Sequence, residues 1–277
     1  MEILKVKTPA KINFGLNVVE KRHDGFHNIE TIFYPIDLFD ELTFNEANEF
    51  IFESDNMSIN SESDNLVIKA KNLLELKTGK KLNVNIYLKK NIPIGAGLGG
   101  GSSDAACTLF SLNKIFKLNL DSSALHQLAL VLGSDVPFFL NPFTSFGSAR
   151  GEILEQIDFK IEGSILLINP GIFISTKWAY GKIKPQISKL SLLELYRRRK
   201  LNIATYRDYV RNDFEIPVLA EFQGIQKLKE ELYEAGADFV LLSGSGSSVF
   251  SIFQNNSLAK AATEYFSKKY FTFLQLQ

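Results

Sequence analysis

The sequence predicts an α+β fold, and three observations carry that prediction. β-patterned segments crowd the opening third, and helical segments mix with strands later without the regular strand–helix alternation of a parallel array. The third is the stretch Leu82, Val84, Ile86 and Leu88, which alternates strictly with Asn83, Asn85, Tyr87 and Lys89. A strand with one apolar and one polar face is commoner in antiparallel than in parallel sheets.

In chain order, short strands are expected at Ile3 to Val6, Ile12 to Val19, Ile29 to Ile36, Glu41 to Phe44 and Glu49 to Glu53, with a hairpin break at His23-Asp24-Gly25-Phe26. Leu66 to Leu76 spaces Leu66, Ala70, Leu73 and Leu74 on one helical face. After the strand at 82–89 comes a glycine-rich stretch, then a helix from Ser102 or Ser103 to Phe116, and another from Ser122 to Leu132 stopped by Gly133. Phe159 to Asn169 reads as a buried strand. Helices follow around Leu192 to Lys200, up to Tyr209 or Val210, and from Gly224 to Ala235 with Gly236 as the stop. Phe239 to Leu242 and Val249 to Phe253 form a hairpin, and the helix Ser257 to Lys268 leads into the strand Phe271 to Leu276. A length of 277 residues suits two domains of ~100–200 residues each. The expected division is 1–158 and 159–277.

Composition narrows the function. Lys+Arg and Asp+Glu both number 31, so the formal charge is zero, whereas nucleic-acid binders carry a basic excess. The run Tyr196-Arg197-Arg198-Arg199-Lys200 is therefore read as a solvated helix face. No apolar run approaches the ~20 residues of a membrane span, and the start alternates apolar and charged residues instead of carrying a signal-peptide core. One cysteine, Cys107, allows no internal disulfide, and three histidines with Gly25 between His23 and His27 offer no zinc site. The expectation is a cytoplasmic protein that takes a small molecule, not a nucleic acid or a membrane.

The most informative stretch is Pro93-Ile94-Gly95-Ala96-Gly97-Leu98-Gly99-Gly100-Gly101-Ser102-Ser103-Asp104. Five glycines in seven residues leave only the Cβ atoms of Ala96 and Leu98, so the backbone can wrap a ligand closely and take positive φ at low cost. The helix that follows starts with N–H groups lacking intrahelical acceptors and carrying partial positive charge. That combination is a phosphate cradle, with Ser102 and Ser103 placed to cap the helix or to reach a phosphate or its magnesium. A plain strand-to-helix turn needs only one or two glycines. No lysine follows the glycines, so the Walker pattern is absent. Gly95, Gly97 and Gly100 match G-x-G-x-x-G, but the preceding strand is not apolar throughout and no acidic-ended strand follows, which excludes a dinucleotide fingerprint.

This stretch resembles the ATP-binding motif of the GHMP small-molecule kinases. Three further blocks resemble the branch of that family whose acceptor is a cytidine diphosphate ester of methylerythritol. These are Pro9-Ala10-Lys11-Ile12-Asn13-Phe14-Gly15-Leu16 with Lys21-Arg22-His23-Asp24-Gly25-Phe26-His27, then Leu132-Gly133-Ser134-Asp135-Val136-Pro137-Phe138-Phe139, and Ser243-Gly244-Ser245-Gly246-Ser247-Ser248-Val249-Phe250. The blocks keep family order from Pro9 to Phe253, nearly the whole chain. The resemblance implies an amino-terminal half like the second domain of ribosomal protein S5 and a ferredoxin-like carboxyl half. It also implies ATP-dependent phosphorylation of the 2-hydroxyl of 4-diphosphocytidyl-2-C-methyl-D-erythritol in non-mevalonate isoprenoid synthesis, with Mg2+ accompanying ATP through ligands the sequence does not identify.

By the same resemblance Asp135 is the catalytic base and Lys11 its charged partner. Pro93, Gly95, Ala96, Gly97, Leu98, Gly99, Gly100, Gly101, Ser102 and Ser103 hold the nucleotide. Phe26, His27, Phe33 and Tyr180 face the cytosine, and Asn13 the sugar or polyol. The residues alone allow plainer roles. Lys11 among apolar neighbours can snorkel from a sheet edge, Asp135 before Val136-Pro137 suits a helix cap, and Phe26, Phe33 and Tyr180 suit a core. Ser243 to Ser248 suits a hairpin turn, whereas the resemblance implies a turn beside the active site. Phe26 departs from the tyrosine common in the family, which keeps a stacking face and loses a hydroxyl. Ser134 and Ser248 stand for the more usual alanine and threonine. A mevalonate- or homoserine-type kinase is the near rival, against which Asp24-Gly25-Phe26-His27 speaks. A silent nucleotide-binding regulator is the rival from another class, against which the presence of both Lys11 and Asp135 speaks.

Overall fold

The computed structural model describes residues 2–59, 65–185 and 191–277. The chain forms two compact units that interleave along the sequence. The first comprises Met1–Ala10, Asp37–Ile94 and Gly99–Pro142, and the second Lys11–Ile36, Gly95–Leu98 and Phe143–Gln277. Two long strands, β1 (Glu2–Lys21) and β2 (His27–Glu46), run through both; they replace the first four of the five short strands expected from local pattern. They are joined at the expected hairpin, where Gly25 has φ +86° and Arg22 N–H donates to the Phe26 carbonyl at 2.8 Å.

In the first unit, β3 (Ile51–Ser54) lies parallel to β4 (Val84–Lys89), which is antiparallel to the Glu41–Glu46 end of β2. The alternation read from sequence is real: Leu82, Val84, Ile86 and Leu88 are buried while Tyr87 and Lys89 face outward. Helix α1 (Leu66–Thr78), capped by the Asn65 carboxamide on Val67 N–H, packs against α2 (Gly100–Ile115) and α3 (Ser122–Leu132). α3 has the expected bounds, with Asp121 capping Ala124 N–H and Gly133 ending it. The short α4 (Val136–Leu140), not expected from sequence, packs on α2 and α3.

In the second unit the Thr31–Phe33 segment of β2 pairs with β5 (Ser145–Ser148), which pairs with β6 (Ile153–Gln156). The expected strand at Phe159 begins only at Ser164, as β7 (Ser164–Asn169), with every residue buried. Five helices follow: α5 (Thr176–Lys182), α6 (Leu192–Arg197), α7 (Tyr206–Tyr209), α8 (Glu215–Glu221) and α9 (Gln223–Glu234). Then come β8 (Phe239–Leu242), β9 (Val249–Phe253), α10 (Asn256–Phe266) and β10 (Phe271–Gln275). The antiparallel sheet order β10-β7-β9-β8 is the ferredoxin-like arrangement. The arginine run ends α6 in solvent, with Arg197 paired to Glu155 at 2.8 Å.

Candidate active site

The glycine stretch folds as a loop whose positive φ angles fall on Gly95 (+64°), Gly97 (+78°) and Gly99 (+72°). The two side chains it keeps, Ala96 and Leu98, are buried and anchor it. Its first four residues belong to the second unit and the rest to the first. α2 begins earlier than expected. Its N-cap is Gly99, with no side-chain cap, so Ser102 and Ser103 sit inside the first turns and do not cap it. Ser103 is 2% exposed and its Oγ has no hydrogen-bond partner. A hydroxyl in that state costs free energy unless something pairs with it. Pro93 is half-buried at the loop entrance.

In the second unit, Lys11 is 3% exposed. Its Nζ donates to Asn13 Oδ1 at 2.5 Å and to the Gly97 carbonyl at 3.2 Å, and it stands 5.5 Å over the Phe33 ring. Its backbone N–H donates to the Leu98 carbonyl at 2.9 Å. A lysine on β1 thus meets the glycine loop by main chain and side chain, which is what burying an ammonium requires. Asn13 serves as its orienter: Nδ2 donates to Thr31 Oγ1 at 3.0 Å, and Thr31 donates in turn to the Gly15 carbonyl at 2.6 Å. Phe33 is 1% exposed and lies against Gly147, so its ring is a floor beneath Lys11.

His27 and Tyr180 stack with centroids 4.9 Å apart and planes at 21°. Burial, and after it the charge of Lys21, hold His27 below its ordinary value, favouring the neutral ring. Phe26 is half-exposed, with the Arg150 guanidinium 4.9 Å over its ring. The structure therefore brings together Lys11, Asn13, Phe33 and Gly97 in one cluster and His27 with Tyr180 in another, while Phe26 has a neighbour of its own.

In the first unit Asp135 occupies the N-cap position of α4 without making a side-chain cap hydrogen bond. The plain capping role is thus not the one its carboxylate performs. Behind the loop, Asp104 of α2 joins a buried cluster in which Lys90 contacts Asp40 and Asp104, the latter at 3.0 Å, and Thr8 Oγ1 donates to Asp104 at 2.7 Å. Burial and the Asp40 charge push Asp104 up to about 6, against the pull of Lys90. Among the described residues no three His, Cys, Asp or Glu side chains group as a metal cage, and no helix is long and apolar enough to cross a membrane.

Sequence reasoning weighed the 243–248 turn as a hairpin or as a neighbour of the active site and gave Ser243 no role of its own. Its Oγ donates to the Gly97 carbonyl at 3.0 Å and accepts from Asn13 N–H at 3.3 Å, while Ser248 N–H donates to the Ala96 carbonyl at 3.2 Å. The repeated Gly-Ser pattern was the signal. A tight turn alone does not need four serines, and Ser243, Ser245, Ser247 and Ser248 are all buried.

Comparison with known proteins bears on this geometry. Residues 65–141 match the model of the GHMP kinases N terminal domain, and residues 197–272 that of the GHMP kinases C terminal. A 4-diphosphocytidyl-2-C-methyl-D-erythritol kinase of Bacteroides fragilis is 42% identical over 250 residues, covering 88% of this chain and 90% of the relative. That of Prosthecochloris aestuarii is 40% identical and covers 98% and 96% respectively. A crystal structure of 4-(cytidine 5'-diphospho)-2C-methyl-D-erythritol kinase superposes with a TM-score of 0.81 at 30% identity over 98% of both chains. A homoserine kinase from Cytophaga hutchinsonii, at 15% identity and a TM-score of 0.70, shares the fold. At 40% identity or better to relatives matched over most of both chains, the chain belongs to the GHMP kinases, within their 4-diphosphocytidyl-2-C-methyl-D-erythritol kinase family.

Proposed function

We propose that this chain transfers the γ-phosphoryl group of ATP to the 2-hydroxyl of 4-diphosphocytidyl-2-C-methyl-D-erythritol, in the cytoplasm, as a step of non-mevalonate isoprenoid synthesis. The observation that carries the reading is the grip of Lys11 and Ser243 on the Gly97 carbonyl. It fixes a loop of bare backbone ahead of the N-terminus of a 16-residue helix, beside a cation suited to a phosphate. The relatives' shared activity and the His27–Tyr180 stack support the cytidine acceptor.

Phosphoryl transfer needs positioning, cancellation of developing charge, and a base for the hydroxyl proton. Loop and helix amides from Gly95 to Ser103 hold the triphosphate, and Lys11 supplies fixed positive charge, oriented by Asn13. Asp135 takes the hydroxyl proton, a role compatible with a carboxylate not committed to capping α4. His27 and Tyr180, with Phe26 next to His27 in sequence, offer ring faces for the cytosine, and Phe33 supports Lys11. Asn13 reaches the polyol through the Nδ2 hydrogen not given to Thr31. Mg2+ bound to the triphosphate would supply Lewis-acid charge neutralisation, and the Ser102 and Ser103 hydroxyls are the groups to hold it, the partnerless Ser103 Oγ being the better fit. The halves 1–158 and 159–277 are proposed as the two family domains; each contains one of the two matched segments.

ADP release measured across acceptor alcohols tests the reading. The cytidine diphosphate ester is expected to be preferred over mevalonate and homoserine; preference for either of those would overturn the acceptor while sparing the kinase. Asp135→Asn is expected to lower kcat by about 100-fold or more, with ATP affinity nearly unchanged, as loss of a general base does.

A further inference from the structure

We propose that the segment Asn212–Glu215 is a positioning element of the kinase site, Asn212 acting on the phosphate loop and Phe214 on the ring pair assigned to the cytosine. The inference rests on the kinase reading above and deepens it. Neither the glycine motif nor the lysine and aspartate motifs include this segment, and no catalytic role was expected of it.

Asn212 is 3% exposed and uses its carboxamide in three directions. Nδ2 donates to the Leu242 and Gly244 carbonyls, both at 2.8 Å, and Oδ1 accepts from Phe214 N–H at 3.0 Å. Two carbonyls that stand two residues apart at the start of the 243–248 turn are thereby tied to one nitrogen, which fixes the path of the turn. That turn is what shapes the loop: Ser243 holds Gly97 and Ser248 holds Ala96. The fit is so close that a Cβ on Gly97 would lie 2.1 Å from the Ser243 carbonyl oxygen. Asn212 is therefore two links from the amides that meet the phosphates.

The rest of the segment, with Arg211 just before it, is fastened to other parts of the site. Leu16 N–H donates to the Arg211 carbonyl at 2.7 Å, Asp213 N–H to the Leu16 carbonyl at 2.9 Å, and Val18 N–H to Asp213 Oδ2 at 2.6 Å. These bonds fix the strand that carries Lys11 and Asn13 a few residues before. Glu215 accepts from Leu242 N–H at 2.9 Å and from the Lys229 ammonium, holding the turn's approach from the other side. Phe214 is 1% exposed and meets Tyr180 edge to face at 4.8 Å and 88°, and Tyr180 in turn stacks on His27. One tetrapeptide thus sets the loop on one side and the rings on the other. The chemistry is residue-specific. Aspartate has the shape of Asn212 but no donor, and its charge would face two carbonyl oxygens.

The test separates the two arms by calorimetric binding of a non-hydrolysable ATP analogue and of CDP, which needs no turnover, alongside steady-state kinetics. Asn212→Asp is expected to weaken the ATP analogue by about tenfold and leave CDP within about twofold. Phe214→Leu is expected to do the reverse. A residue with only a structural role would lower the melting temperature and the active fraction without splitting the two ligands, and that result, or two variants that bind as wild type, overturns the proposal. Should Asn212→Asp fail to fold, Ser243→Ala breaks the same relay one link later; it is expected to lose ATP-analogue affinity alone, and an unchanged affinity there also overturns the proposal. Wild-type protein that binds the ATP analogue but not CDP would instead overturn the cytidine reading, a result distinct from either variant outcome.

Discussion

Gly97 is where the demands on a single residue are sharpest. Its φ of +78° disfavours any L side chain, and its added Cβ would strike a backbone oxygen that cannot swing aside. Gly97→Ala is expected to cost more than about 2 kcal/mol in urea unfolding and to abolish ATP-analogue binding. Gly101→Ala is the control: its Cβ would meet only Leu66 at 3.6 Å with ordinary backbone, so the fold should hold and any lost affinity reports on the nucleotide itself. The sequence announced that this loop needs bare backbone, but not what presses on it, because Ser243 lies 146 residues away. His27 gives a second residue-scale expectation. Its folded value lies below 6.5, so in falling pH the unfolded chain takes up the proton first. The stability it contributes is full above 6.5 and is lost as pH falls through the folded value. An NMR titration of its ring, assigned with His27→Gln, should give a midpoint below 6.5; a midpoint at or above it would refute the burial argument.

At the scale of elements, α2 is held from behind by charges that sequence patterning could not pair. Lys90, Asp40 and Asp104 have side chains 6%, 0% and 2% exposed, and Asp40 also accepts from the Asn91 and Ile92 N–H groups at 2.6 and 2.8 Å. Burial pulls Lys90 down, but the Asp104 and Asp40 charges outweigh it and leave it raised. Lys90→Met strands two carboxylates in the interior and is expected to cost about 3–5 kcal/mol. Because Asp104 binds its proton near pH 6 in the fold and near 3.8 when unfolded, its own contribution is full below 3.8 and is lost as pH rises through about 6. The deficit of Lys90→Met should accordingly shrink on acidification, and equal deficits at pH 5 and pH 8 would show that the cluster is not electrostatic. α3 was legible from its helical period, and β8 and β9 from apolar runs flanked by glycine and serine, signals that are all local. Two long strands were read as four because the polar stretches 7–11, with Pro9, and 37–40, with Asp37 and Asp40, interrupt the apolar pattern; Gly15, inside an expected strand, admits a neighbour instead, since a Cβ there would lie 2.8 Å from Leu192. The short β5, β6, α4, α5 and α8 were missed, since four to seven residues span too few periods to register against a polar background.

For the molecule as a whole, the order of residues along the chain and their order in space diverge. The second unit takes Lys11–Ile36 and Gly95–Leu98 from the amino-terminal half. Its core cluster joins Leu16, Val18 and Ile29 to Leu166, Ile168, Phe214, Val218 and Val249. The proposed boundary near residue 158 thus cuts through this core, separating Leu16, Val18 and Ile29 from its other members. Removing three buried aliphatic side chains forfeits about 1.5–3 kcal/mol each, which together approaches the ~5–15 kcal/mol that stabilises a whole domain. The hydrogen bonds of Leu16 and Val18 to Arg211 and Asp213 go with them. A fragment of residues 159–277 is therefore expected to lack a cooperative urea transition and near-ultraviolet circular dichroism, even with its four ferredoxin-like strands intact in sequence. A fragment that also carries residues 11–36, joined ahead of residue 143 by a flexible linker, restores those partners and should recover both signals. A cooperative transition in the shorter fragment would mean that the strand borrowed from the amino-terminal half serves the site and not the fold.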